Sequence, residues 1–272
     1  MEDRTLAYAG SDGCLLYASV QGEGPLVLLL HGGGPDHRSL LPLAARLADE
    51  YTVALPDVRG YGRSRCADPA RHTWDQYAAD VVSLIDFLQT DRAVVGGTGL
   101  GGTIALRAGL SHPSRVGGLI VVSLEEIEDD EARAAETALM DRFAEVVRAR
   151  GVAAGWERYL PYLQPLIANL VREALPRTDA ASVAAAAATG RDRAFRDVAD
   201  LASITAPTLI FAGGDPRHPA RTATQAVDAL QNGKLAPVGI RADLKTAEDL
   251  AKAVAPGIRE FLRGHQTCGH RP

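Results

Sequence analysis

Lysine is almost missing from this chain, with three residues against twenty-six arginines among 29 basic side chains. Exchange of arginine for lysine on this scale follows genome composition more readily than it marks a binding surface, so no function is read from it. A basic excess is missing too. The formal net charge is −5, which leaves no electrostatic case for nucleic acid or an anionic membrane surface as partner. No apolar run approaches the roughly 18 residues that span a bilayer. The longest, PLVLLL at 25–30, has the length of a buried strand. The opening MEDRTLAYAG lacks a basic segment followed by an apolar one, so no secretory leader is expected. Cysteines are few: Cys14, Cys66 and Cys268 are odd in number and widely spaced, which implies reduced thiols and a cytoplasmic protein. No metal-ligand cluster is visible, and the CGH near the C-terminus reads as a frayed tail rather than a site. GGTGLGG lacks the Lys-Ser/Thr of a phosphate loop and the spacing of a dinucleotide fingerprint. No cofactor is expected.

What is there is an ordinary globular composition, 46% hydrophobic and 23% charged over 272 residues. TLAYAG and LLYASVQG flank SDG and predict an antiparallel hairpin turning at Ser11–Gly13. PLVLLL, TVALP, AVVGG and GGLIVVS follow as unbroken apolar strands, separated by the helical segments LLPLAARLADE, Trp74 to Gln89 and GLGGTIALRAGL. Apolar strands alternating with helices imply a parallel sheet covered on both faces. Residues 125–200 break the rhythm with helical patterns only, including the alanine run of ASVAAAAATG, alanine being the best helix former. PTLIFAGG and KLAPVGI resume as strands, with PARTATQAVDAL and TAEDLAKAVAPGIREFL as helices. The expected fold class is α/β: a doubly wound, mostly parallel sheet carrying a helical cap insertion. The expected division is a core of 1–124 and 201–265, a cap of 125–200 and a tail of 266–272.

The order of hairpin, HGGGP, DVRGYGRS, a glycine-rich strand-to-helix elbow, helical insertion and late GGDPRHP resembles the α/β-hydrolase superfamily along nearly the whole chain. The resemblance implies an oxyanion hole built from the amide of Gly33 or Gly34 and that of Leu100, the residue after the nucleophile. It also implies a nucleophile at the elbow and a base in a loop near the C-terminus. Both are absent. In Gly97-Thr98-Gly99-Leu100-Gly101, glycine occupies the apex where G-x-S-x-G places serine. Thr98 is one position early, and a frame shifted onto it would misplace the glycine required for close helix packing. In the last loop, Asp243 stands where the histidine is expected, five residues before Glu248. The acid has a candidate in Asp215. Glycine at a strained apex relieves about 1–3 kcal/mol once no nucleophile is required there.

Two histidines offer a replacement base. His37 lies in the loop after PLVLLL with Asp36 as its expected partner, unless it is a surface or helix-capping residue. His218 lies beside Asp215 and could supply imidazole from a new position, unless it is a loop residue held by Pro216 and Pro219. Asp57, Arg59 and Arg63 are expected to brace the sheet edge, His112 to be structural, His72 to be exposed and Cys66 to be a bystander thiol. Trp156, Tyr159 and Tyr162 at spacings of three suggest one helix face, for packing or for ligand contact. EEIEDDE is read as a solvated helix start, with Glu125 held open as an alternative acid. Without the Ser–His pair an acyl-enzyme cycle is closed off. Three readings follow: a non-hydrolytic enzyme stabilising an enolate or similar oxyanion on a small apolar oxygenated molecule, a hydrolase whose displaced histidine activates water, or a ligand-binding protein with an inactive pocket. The sequence is silent on oligomeric state.

Overall fold

Eight strands join into one sheet because the apolar residues alternate between two buried faces. The computed structural model describes residues 4–125, 127 and 130–266. β1 (Arg4–Ala9) and β2 (Leu15–Gln21) form the expected hairpin, and β2 runs antiparallel to β4 (Thr52–Pro56). β3 (Leu26–Leu30), β5 (Ala93–Thr98), β6 (Val116–Val122), β7 (Thr208–Phe211) and β8 (Gly233–Leu235) pair in parallel, in the order β1-β2-β4-β3-β5-β6-β7-β8. The fold class read from the sequence is the one observed.

The two faces separate by the two-residue period of a strand. Leu28, Leu30, Val95, Leu119, Val121 and Ile210 pack with α2 (Trp74–Phe87), α3 (Leu100–Ser111) and α8 (Ala220–Ala229). Val27, Leu29, Ile120, Val122, Leu209 and Phe211 pack with α1 (Leu41–Ala45) and α9 (Ala247–Gln266).

Between β6 and β7 the described residues are helical: α4 (Asp130–Arg150), α5 (Val152–Glu157), α6 (Pro165–Ala174) and α7 (Ala180–Ala186), with short 3-10 turns. Phe143, Val147, Val152, Val183 and Ala187 make a small apolar core of their own. α6 instead sends Leu166 and Leu170 into the sheet's core. No helix among the described residues is long and apolar enough to cross a membrane.

Two elements differ from expectation. LLPLAARLADE supplies only the five-residue α1, since Pro42 starts it and Arg46–Glu50 close in turns. KLAPVGI pairs with β7 only as far as Leu235, because Pro237 has no amide to extend a ladder. Glu126, Glu128 and Asp129 of EEIEDDE, Cys268 and the tail beyond 266 lie outside the described residues.

Candidate active site

The elbow is built by glycines for two separate reasons. A methyl at Gly97 would lie 2.5 Å from both the Gly101 carbonyl carbon and the Leu30 oxygen, and one at Gly101 would overlap the Leu30 carbonyl. These two positions let α3 sit directly on β3 and β5. Gly99 has φ 49° and ψ −116°, a conformation that strains any residue with a side chain. Its amide donates to Val122 O at 3.0 Å, and α3 begins at the next residue. The apex therefore falls on Gly99. Thr98 Oγ1 points to Gly32 instead, lying 3.4 Å from where a methyl there would sit.

His218 faces this apex. A methyl at Gly99 would lie 3.2 Å from His218 Nε2, the nearest atom to that position. Nδ1 of the same ring is 3.0 Å from each carboxylate oxygen of Asp215. The turn Asp215-Pro216-Arg217-His218 holds the pair: Asp215 Oδ1 accepts from the amides of Arg217 at 2.9 Å and His218 at 3.0 Å. Gly213 lets the loop curl back, because a methyl there would strike the Cβ of His218 at 2.6 Å. Burial opposes the charge on Asp215, but the hydrogen bond and charge of His218 outweigh it and hold the carboxyl below its ordinary range. An ionised Asp215 accepts Nδ1–H, and that leaves the Nε2 lone pair aimed at Gly99.

The loop after β3 forms the other wall. His31 is fully buried; its Nδ1 donates to Gly32 O at 2.8 Å and its Nε2 accepts from Val58 N–H at 2.9 Å. That pattern requires the neutral ring, and burial pushes the imidazole below its usual value even with Asp57 nearby. A methyl at Gly33 would lie 3.9 Å from the Tyr61 hydroxyl and 4.0 Å from Leu100 Cδ2, so Gly33 stands beside the elbow. Among the described residues nothing accepts a hydrogen bond from the amides of Gly33, Gly34 or Leu100. Gly34 is roofed by the insertion, with Trp156 Cζ2 2.8 Å from a methyl placed there and Val171 Cγ2 at 2.9 Å.

Other expected partnerships are rearranged. His37 Nδ1 pairs with Asp57 Oδ1 at 2.7 Å, not with Asp36, and Asp57 also accepts from the amides of His37 and Arg63. Asp36 caps the 3-10 turn at Arg38 N and binds Arg177 Nε at 2.6 Å, tying the loop to the insertion. Neither His37 nor Asp36 is among the atoms that surround the apex Gly99. Asp243 is exposed and paired with Arg241, so it does not stand in for a histidine at the elbow. His72 is buried, not exposed: its ring bridges Cys66 O and the Tyr77 hydroxyl, both at 2.9 Å. Tyr162 is 87% exposed because α5 stops at Glu157, whereas Trp156 and Tyr159 stack with Phe143. Arg59 braces as expected, between Asp80 and Asp12. Glu125 accepts from Thr103 Oγ1 at 3.3 Å and lies 3.8 Å from Arg217. Tyr61, whose hydroxyl faces Gly33, is the site residue that the sequence did not single out, since DVRGYGRS reads as a bracing loop. Among the described residues no cluster of three or more His, Cys, Asp or Glu could hold a metal ion.

A mostly parallel eight-stranded sheet flanked by helices, with a strand-to-helix elbow after β5 and a helical insertion after β6, is the architecture of an α/β hydrolase. The chain belongs to the α/β hydrolase family, whose profile matches residues 27–256. It is similar in structure to a thermophilic esterase from Thermogutta terrifontis, with 26% identity, TM-score 0.79, and coverage of 97% of this chain and 99% of that one. The enol-lactonase of Burkholderia xenovorans shares the fold at TM-score 0.78 and 21% identity, covering 95% of this chain and all of that one. A fluoroacetate dehalogenase from a Burkholderia species is 35% identical over 126 residues, 42% of this chain and 41% of its own length. The chain matches from a third to a half of the length of such curated relatives.

Proposed function

We propose that this protein is an enzyme that uses His218 as a general base without a covalent intermediate, acting on a small, largely apolar carbonyl compound by a non-hydrolytic route. The observation that carries this reading is the position of His218, with Nδ1 on Asp215 and Nε2 3.2 Å from where a side chain on Gly99 would begin. Asp215 fixes the tautomer and offsets the charge of the imidazolium that forms. A proton leaves a substrate carbon for Nε2, and the electron pair moves onto the carbonyl oxygen. The amides of Gly33 or Gly34 and of Leu100 receive the developing charge, each such donor contributing about 3–4 kcal/mol in a water-poor site. Cyclisation and lyase chemistry both pass through that enolate.

One feature favours a second reading, ester or lactone hydrolysis. With no side chain at Gly99, a water hydrogen-bonded to His218 Nε2 would take the place of the missing hydroxyl as the attacking group. Two assays separate them. In deuterium oxide, exchange of α-protons in a panel of small ketones and lactones, lost at least 100-fold in His218→Ala and Asp215→Asn, supports carbon-acid chemistry. Turnover of activated esters with the same dependence on His218, without exchange, favours hydrolysis instead. Ligand-induced stabilisation with neither activity would make the chain a binding protein.

A further inference from the structure

Tyr61 has a phenolic hydroxyl that the chemistry above does not use. Its backbone is fixed by hydrogen bonds from Tyr61 N to Val58 O at 2.9 Å and from Ser64 N to Tyr61 O at 3.0 Å. Its ring stands edge-on to His31, with centroids 5.7 Å apart and planes at 81°. The backbone and ring are therefore held while the hydroxyl is left over. Among the described residues that hydroxyl has no hydrogen-bond partner, and it is not among the sealed, unpaired buried atoms. It lies 3.9 Å from where a methyl on Gly33 would sit, and Leu100 Cδ2 lies 4.0 Å from the same point. Burial pushes the phenol up to about 12; the negative charge of Glu125 adds to this and Arg217 opposes it. At neutral pH the group is accordingly a donor.

We infer that the Tyr61 hydroxyl is a third hydrogen-bond donor to the substrate's oxyanion, converging with the amides of Gly33 and Leu100. This rests on the oxyanion-stabilising reading above and adds to it the residue that sets the strength of the hole. The ligand class is a planar oxyanion, an enolate or a phenolate, whose oxygen accepts three donors while its carbon framework faces His218. A hydroxyl held by an aromatic stack loses little freedom on binding and needs no reorganisation as charge develops.

The probe is 4-nitrophenol, whose phenolate absorbs visibly, titrated with the wild-type protein in buffer on the acid side of its own ionisation. Binding that raises the phenolate absorbance is expected. Tyr61→Phe keeps the ring against His31 and is expected to weaken phenolate binding about 10- to 100-fold with an unchanged Tm, the loss of one hydrogen bond to a charged acceptor. Gly33→Ala is the second variant, since its methyl fits at ordinary contact distances and stands between Tyr61 and Leu100. It is expected to abolish the signal. Equal phenolate affinity in wild type and Tyr61→Phe would overturn the role of Tyr61 while leaving His218 as base intact. Absence of phenolate binding by the wild type would overturn the donor cluster altogether. The proton-exchange assay with His218→Ala fails or succeeds independently of either result.

Discussion

Gly99 and His218 make opposite demands on one small volume. Glycine relaxes the strained apex, and the imidazole across from it stands 3.2 Å from where a side chain there would begin. Serine at this position would place a hydroxyl within reach of a ring already oriented by Asp215. From the sequence, with Asp243 in the position expected for the histidine, Gly99→Ser should stay inactive. The location of His218 reverses that expectation. Gly99→Ser is expected to release a burst of about one equivalent of 4-nitrophenol per protein from 4-nitrophenyl acetate, and the burst should vanish in Gly99→Ser/His218→Ala. A burst that survived removal of His218 would show that another group activates the serine. The variant should also lose about 1–3 kcal/mol of stability to the apex backbone. Gly101 is constrained by packing instead. Gly101→Ala is expected to cost about 3 kcal/mol in urea unfolding, because backbone rather than a flexible side chain opposes the methyl.

At the scale of elements, the loop after β3 depends on a histidine that must remain neutral. Protonation of His31 would give Nε2 a proton facing the Val58 N–H, two donors with no acceptor between them. His72 is likewise buried, and desolvation lowers its value. Below the ordinary imidazole value of 6.5 the unfolded chain takes up protons that the folded chain refuses, so stability falls as pH falls. Each ring contributes at most about 1.4 kcal/mol per pH unit between its unfolded and folded values. Urea titrations between pH 7.5 and 5.5 should show stability falling with pH, and falling less steeply in His72→Phe; an unchanged slope would refute it. A separate loss is expected near and below pH 4. Asp57 is buried, which opposes its charge, but the hydrogen bond and charge of His37 hold it below the ordinary carboxylate value. The stability it contributes is complete above 3.8 and disappears as pH falls through its folded value.

For the molecule as a whole, the hairpin, α2 and the loop after β4 meet on the buried guanidinium of Arg59. It binds Asp80 at 2.7 and 2.8 Å and Asp12 at 2.9 Å. Burial raises the Asp80 carboxyl above its ordinary range despite the guanidinium beside it, so the pair gains little over apolar packing. Breaking it is another matter. Arg59→Leu should cost about 3–5 kcal/mol by leaving Asp80 buried without its cation, and Arg59→Leu/Asp80→Leu should recover part of that loss. Thermal or urea unfolding of both variants measures the difference. The insertion is attached to this body by separate contacts, Arg177 to Asp36, Cys66 N to Ser182 Oγ at 3.0 Å and Trp74 N to Asp192 at 2.8 Å.

The parallel sheet, its covered faces and the helical segment after β6 were legible because they rest on local periodicity, and solvent exclusion acts on that pattern wherever the chain goes. The glycine apex was legible as well, since backbone strain and close helix packing are properties of a few adjacent residues. Partnerships across the chain were not. That His37 takes Asp57 rather than Asp36, that Asp243 turns to solvent, and that the Tyr61 hydroxyl faces Gly33 depend on how separate loops meet above the sheet. His218 shows both halves: its neighbour Asp215 was visible three residues away, but its direction toward Gly99 was decided only when β7 was laid beside β6, one strand from β5. Short-range spacing fixes which groups are available, whereas their convergence on a point depends on tertiary contacts that no single stretch of sequence contains.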